Sequence, residues 1–214
     1  MKNREPSVYS EGFAVVREAS GSIKFFSGDD GSKMVPENNV WNQEWGNTGD
    51  RVYVRFNYNP YAVSDKAEVY VSVQSVTRIR MDERALDPTT VDADTLQVPF
   101  LSYGNYDAHT KAIQGFLTVL LYTKYANPAK HSFGFLEESN LTGHDTLFLK
   151  MWHSSRETAE PTSIGEHLLA LKIDSYVDRF YADTVIIALK YNAEGYDGAV
   201  SEKTIYAKYG KSTW

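Results

Sequence analysis

Along residues 51–58, RVYVRFNY, apolar and polar side chains alternate. This predicts a strand with Val52, Val54, Phe56 and Tyr58 facing inward and Arg51, Tyr53, Arg55 and Asn57 facing water. Upstream, GFAVVRE and SIKFF are joined by an Ala19-Ser20-Gly21-Ser22 turn, and SGDDGSK carries the Gly and Asp residues of a tight hairpin. Downstream, in AEVYVSVQSVTRI, Val69, Val71 and Val73 share a face but Val76 and Ile79 break the parity, which predicts at least one bulge. About five short strands with one bulged member predict a small OB-like barrel over roughly residues 8–80.

The segment RMDERALDPTTVDADT is acidic, contains Pro88 and lacks apolar periodicity, so it reads as a connector. Beyond it, QGFLTVLLYT and DTLFLKMW are apolar on both faces, as central strands of a covered sheet are, and DTVIIALKY and KTIYAKY read as further strands. SIGEHLLALKI carries a Ser163/Glu166 capping-box pattern, but Leu169, Leu171 and Ile173 alternate, and strand is favoured over helix. The expected architecture is all-β: an OB-like barrel in residues 1–80, a linker at 81–96 and an immunoglobulin-like β-sandwich of about seven strands in 97–214.

Composition narrows the function classes. The 22 basic and 28 acidic residues leave a net charge of −6, and the Lys and Arg residues are scattered, so nucleic acid is an unexpected partner. Cysteine is absent, which removes disulfides, thiolate metal sites and thiol nucleophiles. FLTVLLY is too short for a membrane helix. MKNREPS is too polar for the core of a signal peptide, so the chain is either cytosolic or preceded by a targeting segment not present in this sequence.

SIKFFSGDDGSKMVPE followed by GDRVYVRFNY, a connector, GHDTLFLKMWHSS, DTVIIALKYNAEG and KTIYAKYG together resemble the NigD-like proteins from end to end. The resemblance implies an envelope lipoprotein with an N-terminal OB-like domain and a C-terminal β-sandwich, and an immunity role linked to a bacteriocin locus. It brings no catalytic residues. It also implies a lipobox cysteine upstream, absent from this sequence, so membrane association is expected only through an N-terminal lipid anchor. Where many members place aspartate after the strand histidine, this chain has Ser154 and Ser155 after His153.

GHDTLFLKMWHSS is the densest cluster of polar chemistry. Read as one extended strand, it holds His144 and His153 roughly 30 Å apart and Asp145 and His153 about 26 Å apart. A metal pair or triad within the segment is thereby excluded. His109, His131 and His167 could approach across strands, but no HExxH or HxH occurs, and scattered surface or strand-end histidines are expected, with no metal and no cofactor. GxSxG, Walker and GxGxxG patterns are absent, so no catalytic residue is assigned and a non-enzymatic protein is expected. DADT and GDDG read as turns, not calcium loops, and Asn140-Leu141-Thr142 as a turn, not a glycosylation acceptor.

Trp41 and Trp45 lie in an Asn- and Gly-rich loop beside the predicted barrel. As flat aromatics, with Tyr58 and Tyr61 nearby, they are candidate ligand-binding residues for a glycan or a partner's side chains. The alternative, and the favoured reading, is that both indoles plug the barrel. The resemblance implies a non-enzymatic envelope protein that binds a protein partner, in the manner of bacteriocin immunity; a glycan-binding module is the second reading and a hydrolase with a cross-strand site the third.

Overall fold

The computed structural model describes residues 7–62, 68–86, 96–138 and 145–211. His144, DADT and the Asn140–Thr142 turn lie outside the described residues. The chain divides into two compact units, residues 1–80 and 81–214.

The first unit is a closed barrel of β1 (Val8–Ala19), β2 (Ile23–Gly28), β3 (Lys33–Pro36), β4 (Arg51–Tyr58) and β5 (Glu68–Arg78) in the order β1-β2-β3-β5-β4. That is the strand order of an OB barrel. Closure depends on β1, which pairs with β4 through Val8–Val15 and with β2 through Ala14–Ala19. Its turn into β2 carries positive φ at Gly21 (88°) and Ser22 (63°), so glycine relieves one of two strained positions. The expected bulge lies in β5: Arg55 faces Ser75 and Phe56 faces Val73, leaving Gln74 as the extra residue. It shifts parity so that Val71 on one side and Val76 on the other can both pack on the core of Ala14, Val16, Phe26, Met34, Val52, Val54 and Phe56.

Arg51 departs from the alternation rule. It was expected to face water, yet it is fully buried. Its guanidinium donates two parallel bonds to Asp29, at 2.6 and 2.7 Å, with Phe13 5.5 Å beneath. A planar fork matched to a carboxylate offsets the desolvation that would otherwise keep an arginine outside. Asp29 belongs to the GDDG turn, where Asp30 Oδ1 accepts from the Ser32 backbone N–H (3.0 Å) and hydroxyl (2.6 Å), an Asx-type turn.

The second unit contains two sheets. One runs β6 (Arg80–Asp82), β13 (Ser163–Lys172), β10 (Phe116–Tyr125), β9 (His109–Ile113). The other runs β11 (His131–Glu137), β12 (Thr146–Ser155), β14 (Thr184–Glu194), β15 (Val200–Gly210), with the two-residue strands β7 (Leu96–Gln97) and β8 (Phe100–Leu101) attached to β12 and β14. The two sheets share one core, to which β10 gives Leu117, Val119 and Leu121, β12 gives Leu147, Leu149 and Met151, and β14 gives Val185, Ile187 and Leu189. Each such side chain contributes about 1.5–3 kcal/mol on burial. Within residues 81–96, β6 completes a sheet edge and Leu86 bridges to Leu136. The segment with the capping-box pattern is the strand β13; a single helical turn, α1 (Asp174–Val177), follows it. β12 and β14 run parallel, a pairing that hydrophobic pattern alone does not disclose.

Candidate functional site

β12 runs as one continuous strand over Thr146–Ser155, the part of GHDTLFLKMWHSS from Thr146 on, and His153 lies near its end. Register supplies what spacing did not. β11 pairs with β12 so that His131 faces Ser155 and Phe133 faces His153. His131 and His153 are therefore diagonal neighbours on the inward face. His131 Nδ1 lies 2.8 Å from His153 Nε2, and the two rings stack with centroids 5.1 Å apart. On the opposing sheet, Leu121 faces His167 and Thr123 faces Gly165, which places Thr123 Oγ1 diagonally 2.7 Å from His167 Nε2. Phe133 lies between the groups, 4.6 Å from His153 and 4.3 Å from His167. Gly165 makes room for the Tyr125 ring: a Cβ there would stand 2.4 Å from Tyr125 Cε1.

Histidines expected at scattered or strand-end positions thus meet in the sandwich core. His131 does open β11, but it is buried, as is His153. His109 lies exposed on β9, apart from the cluster.

Glu157 closes the network. Its Oε2 is 2.9 Å from His131 Nε2, and it accepts backbone N–H bonds from Ala126 and Asn127. Burial resists ionisation of this carboxyl, but the His131 bond and the two backbone donors outweigh it and hold the pKa at about 2. A carboxylate only accepts, so His131 Nε2 carries a proton. Burial, reinforced by His131 and His167, pushes the His153 pKa down to about 3 and outweighs the opposing pull of the Val98 carbonyl. Burial and then His131 push His167 down to about 4. In the neutral network the His153 Nε2 proton spans to His131 Nδ1, and His153 Nδ1 is left with no aligned hydrogen-bond partner.

The composition Ser155, His131, Glu157 invites comparison with a serine-hydrolase triad, but the geometry differs. Ser155 Oγ stands 3.4 Å from His131 Nε2, the nitrogen already donating to Glu157, while Nδ1 is engaged by His153. A triad needs hydroxyl and carboxylate on opposite nitrogens of the imidazole. Ser155 Oγ also accepts the Glu157 backbone N–H at 3.0 Å. The arrangement ties the end of β12 to the segment after it. Among the described residues, no three His, Asp or Glu side chains converge to hold a metal ion.

The aromatic candidates are placed as follows. Trp41 and Trp45 are half-buried and packed against the barrel core, with Phe26 4.8 and 5.9 Å from their rings. They meet edge to face, 84° apart, and so present no common plane to a sugar ring. The Trp41 Nε1–H donates to the Gly46 carbonyl at 3.3 Å. Tyr58 packs partly on the same core beside Phe56, and Tyr61 is 83% exposed. Among the described residues no ring contact joins either tyrosine to the indoles.

No family model and no curated protein matches the chain. Solved structures share its fold across both units. One is a NigD-like immunity protein from Bacteroides caccae, 19% identical over 91% of each chain with TM-score 0.64. A second, from Bacteroides fragilis and inferred to be a lipoprotein, is 15% identical over 96% of this chain and 100% of its own, with TM-score 0.71. A third, from Parabacteroides distasonis and inferred to be toxin-related, is 16% identical over 96% of this chain and 95% of its own, with TM-score 0.68. The fold therefore recurs in these Bacteroides and Parabacteroides proteins, and the NigD-like immunity protein is among the structures that share it.

Proposed function

We propose that the chain is a non-enzymatic cell-envelope protein of the NigD-like kind, lipid-anchored in its full-length form, that acts by binding another protein, as a bacteriocin-immunity protein does. The observation that carries this reading is the likeness, over 91% of both chains, to a NigD-like immunity protein. The likeness to a protein inferred to be a lipoprotein supports the envelope assignment. The closed chemistry of the sandwich supports binding over catalysis: both nitrogens of His131 are engaged, and its side chain and that of Glu157 are 1% and 7% exposed. A general base must reach a substrate proton.

Two experiments test the proposal. The full-length gene, expressed in a sensitive Bacteroides strain, protects against at least one bacteriocin of a related panel; no protection across the panel contradicts the immunity role. Metabolic labelling with a palmitate analogue marks the mature product; an unlabelled, freely released product contradicts the anchor.

A further inference from the structure

Outside the histidine network, the sandwich gathers four tyrosines at one surface. The loop between β8 and β9 makes a tight turn in which the Tyr106 N–H donates to the Tyr103 carbonyl at 3.1 Å, with Gly104 at φ 60°. Glycine supplies that positive φ without strain, and the turn sets the two rings edge to face, 5.6 Å apart. Tyr106 continues onto Tyr122 of β10 at 5.4 Å. Tyr103 continues onto Tyr196, in the β14–β15 turn, at 6.0 Å. Three segments distant in sequence thus build one unbroken aromatic chain. Tyr196, at its end, is 91% exposed.

Such rings are costly to leave in water and are the side chains most enriched at binding surfaces, where a rigid ring gives contact area at little entropic cost. The charge around them is acidic. Glu166 stands directly opposite Tyr122 in the β10–β13 ladder, and its charge raises the Tyr122 pKa, second to burial. Asp107 follows Tyr106, Asp197 follows Tyr196, and Glu194 pairs with Lys124 at 2.5 Å. Lys203 donates to the Ser102 hydroxyl at 2.7 Å. Glu166, Glu194, Asp107 and Asp197, neighbours of these tyrosines in the ladder, through Lys124 or in sequence, outnumber the ammonium groups of Lys124 and Lys203. Lys124, whose ammonium pairs with the Glu194 carboxylate, shows that this surface already accommodates an ammonium. Ring faces beside carboxylates favour cations.

We propose that Tyr103, Tyr106, Tyr122 and Tyr196, with Glu166, form the docking surface for a basic segment of the protein partner, taking its Arg or Lys side chains against tyrosine rings. The proposal deepens the reading that the protein acts by binding a protein, and rests on it.

The test uses the intact protein at physiological ionic strength, where diffuse attraction to a net charge of −6 is largely screened. The probes are an acetylated Gly-Arg repeat decapeptide amide, its Gly-Glu counterpart and maltoheptaose, titrated by calorimetry. The Gly-Arg peptide binds; the other two do not. Tyr103→Ala and Tyr196→Ala each weaken that binding about fivefold or more, and Glu166→Lys weakens it further. Tyr181→Ala, at a fully exposed tyrosine, leaves it unchanged. Because Tyr196 touches only the rim of the cluster, its removal leaves the core intact. Equal binding by wild type and the tyrosine variants, or binding of maltoheptaose in place of the peptide, overturns the proposal. Peptide binding that follows this pattern in a protein that confers no protection upholds the surface and counts against the immunity role alone.

Discussion

His131 and His153, 22 positions apart in sequence, are joined ring to ring at 2.8 Å inside the sandwich, and the outer nitrogen of His131 is fixed by Glu157. Both nitrogens of His131 are engaged and the one unpartnered imidazole nitrogen, His153 Nδ1, is buried, so the pair ties β11, β12 and the segment after β12 together.

The two histidines should differ in their tolerance of change. His153→Phe keeps a flat ring stacked on Phe133 and removes the unpartnered Nδ1, at the expense of one bond to His131. A net cost of about 1 kcal/mol is expected. His131→Phe removes the donor to Glu157 and the partner of His153 together. Its urea midpoint should fall further than that of His153→Phe. Chemical unfolding of both variants checks the order.

Acid should destabilise the protein in a defined window. The pKa values of His153 and His167 are depressed to about 3 and about 4 in the folded chain, against an ordinary value of 6.5. Between pH 6.5 and about 4 the unfolded chain takes up protons that the folded chain refuses. Stability is therefore full above pH 6.5 and falls as pH drops, by up to about 1.4 kcal/mol per pH unit for each histidine. Glu157, held at about 2, adds a loss of the same sign below its ordinary value of 4.5. Unfolding free energies at pH 7, 5.5 and 4.5 measure the slope, and His153→Phe should reduce it by about one proton.

In the barrel, Arg51→Met should cost about 3 kcal/mol or more, because Asp29 would keep its buried charge without the guanidinium that faces it. Arg51→Lys should recover only part of this, since an ammonium cannot make the two parallel bonds. Thermal unfolding of the two variants, with Asp29→Asn added to Arg51→Met as a partial rescue, checks the ordering.

Arg51 also shows where the reading of the sequence stops. Alternation correctly gave the strand and placed Val52, Val54 and Phe56 inside, but it assigns faces without knowing partners, and the partner here lies on another hairpin. The parity break between Val73 and Val76 was legible because a bulge changes the local pattern itself. The histidine network was not: it depends on the β11–β12 register and on Glu157, which follows the strand, and none of these leaves a short motif. The tyrosine chain escaped for the same reason, since its members come from two turns and a strand. Trp41 and Trp45 stood out by composition, and their packing on Phe26 is what the barrel-plug alternative describes.

The most direct measurement of binding against catalysis is bacteriocin protection by full-length protein carrying His131→Phe and His153→Phe together. The double change replaces the imidazole pair by two apolar rings, and Glu157, which loses its His131 donor, keeps the backbone donors of Ala126 and Asn127. The account predicts survival equal to that given by the wild-type gene. Loss of protection by a double variant that is folded and present in the envelope at wild-type levels would contradict it.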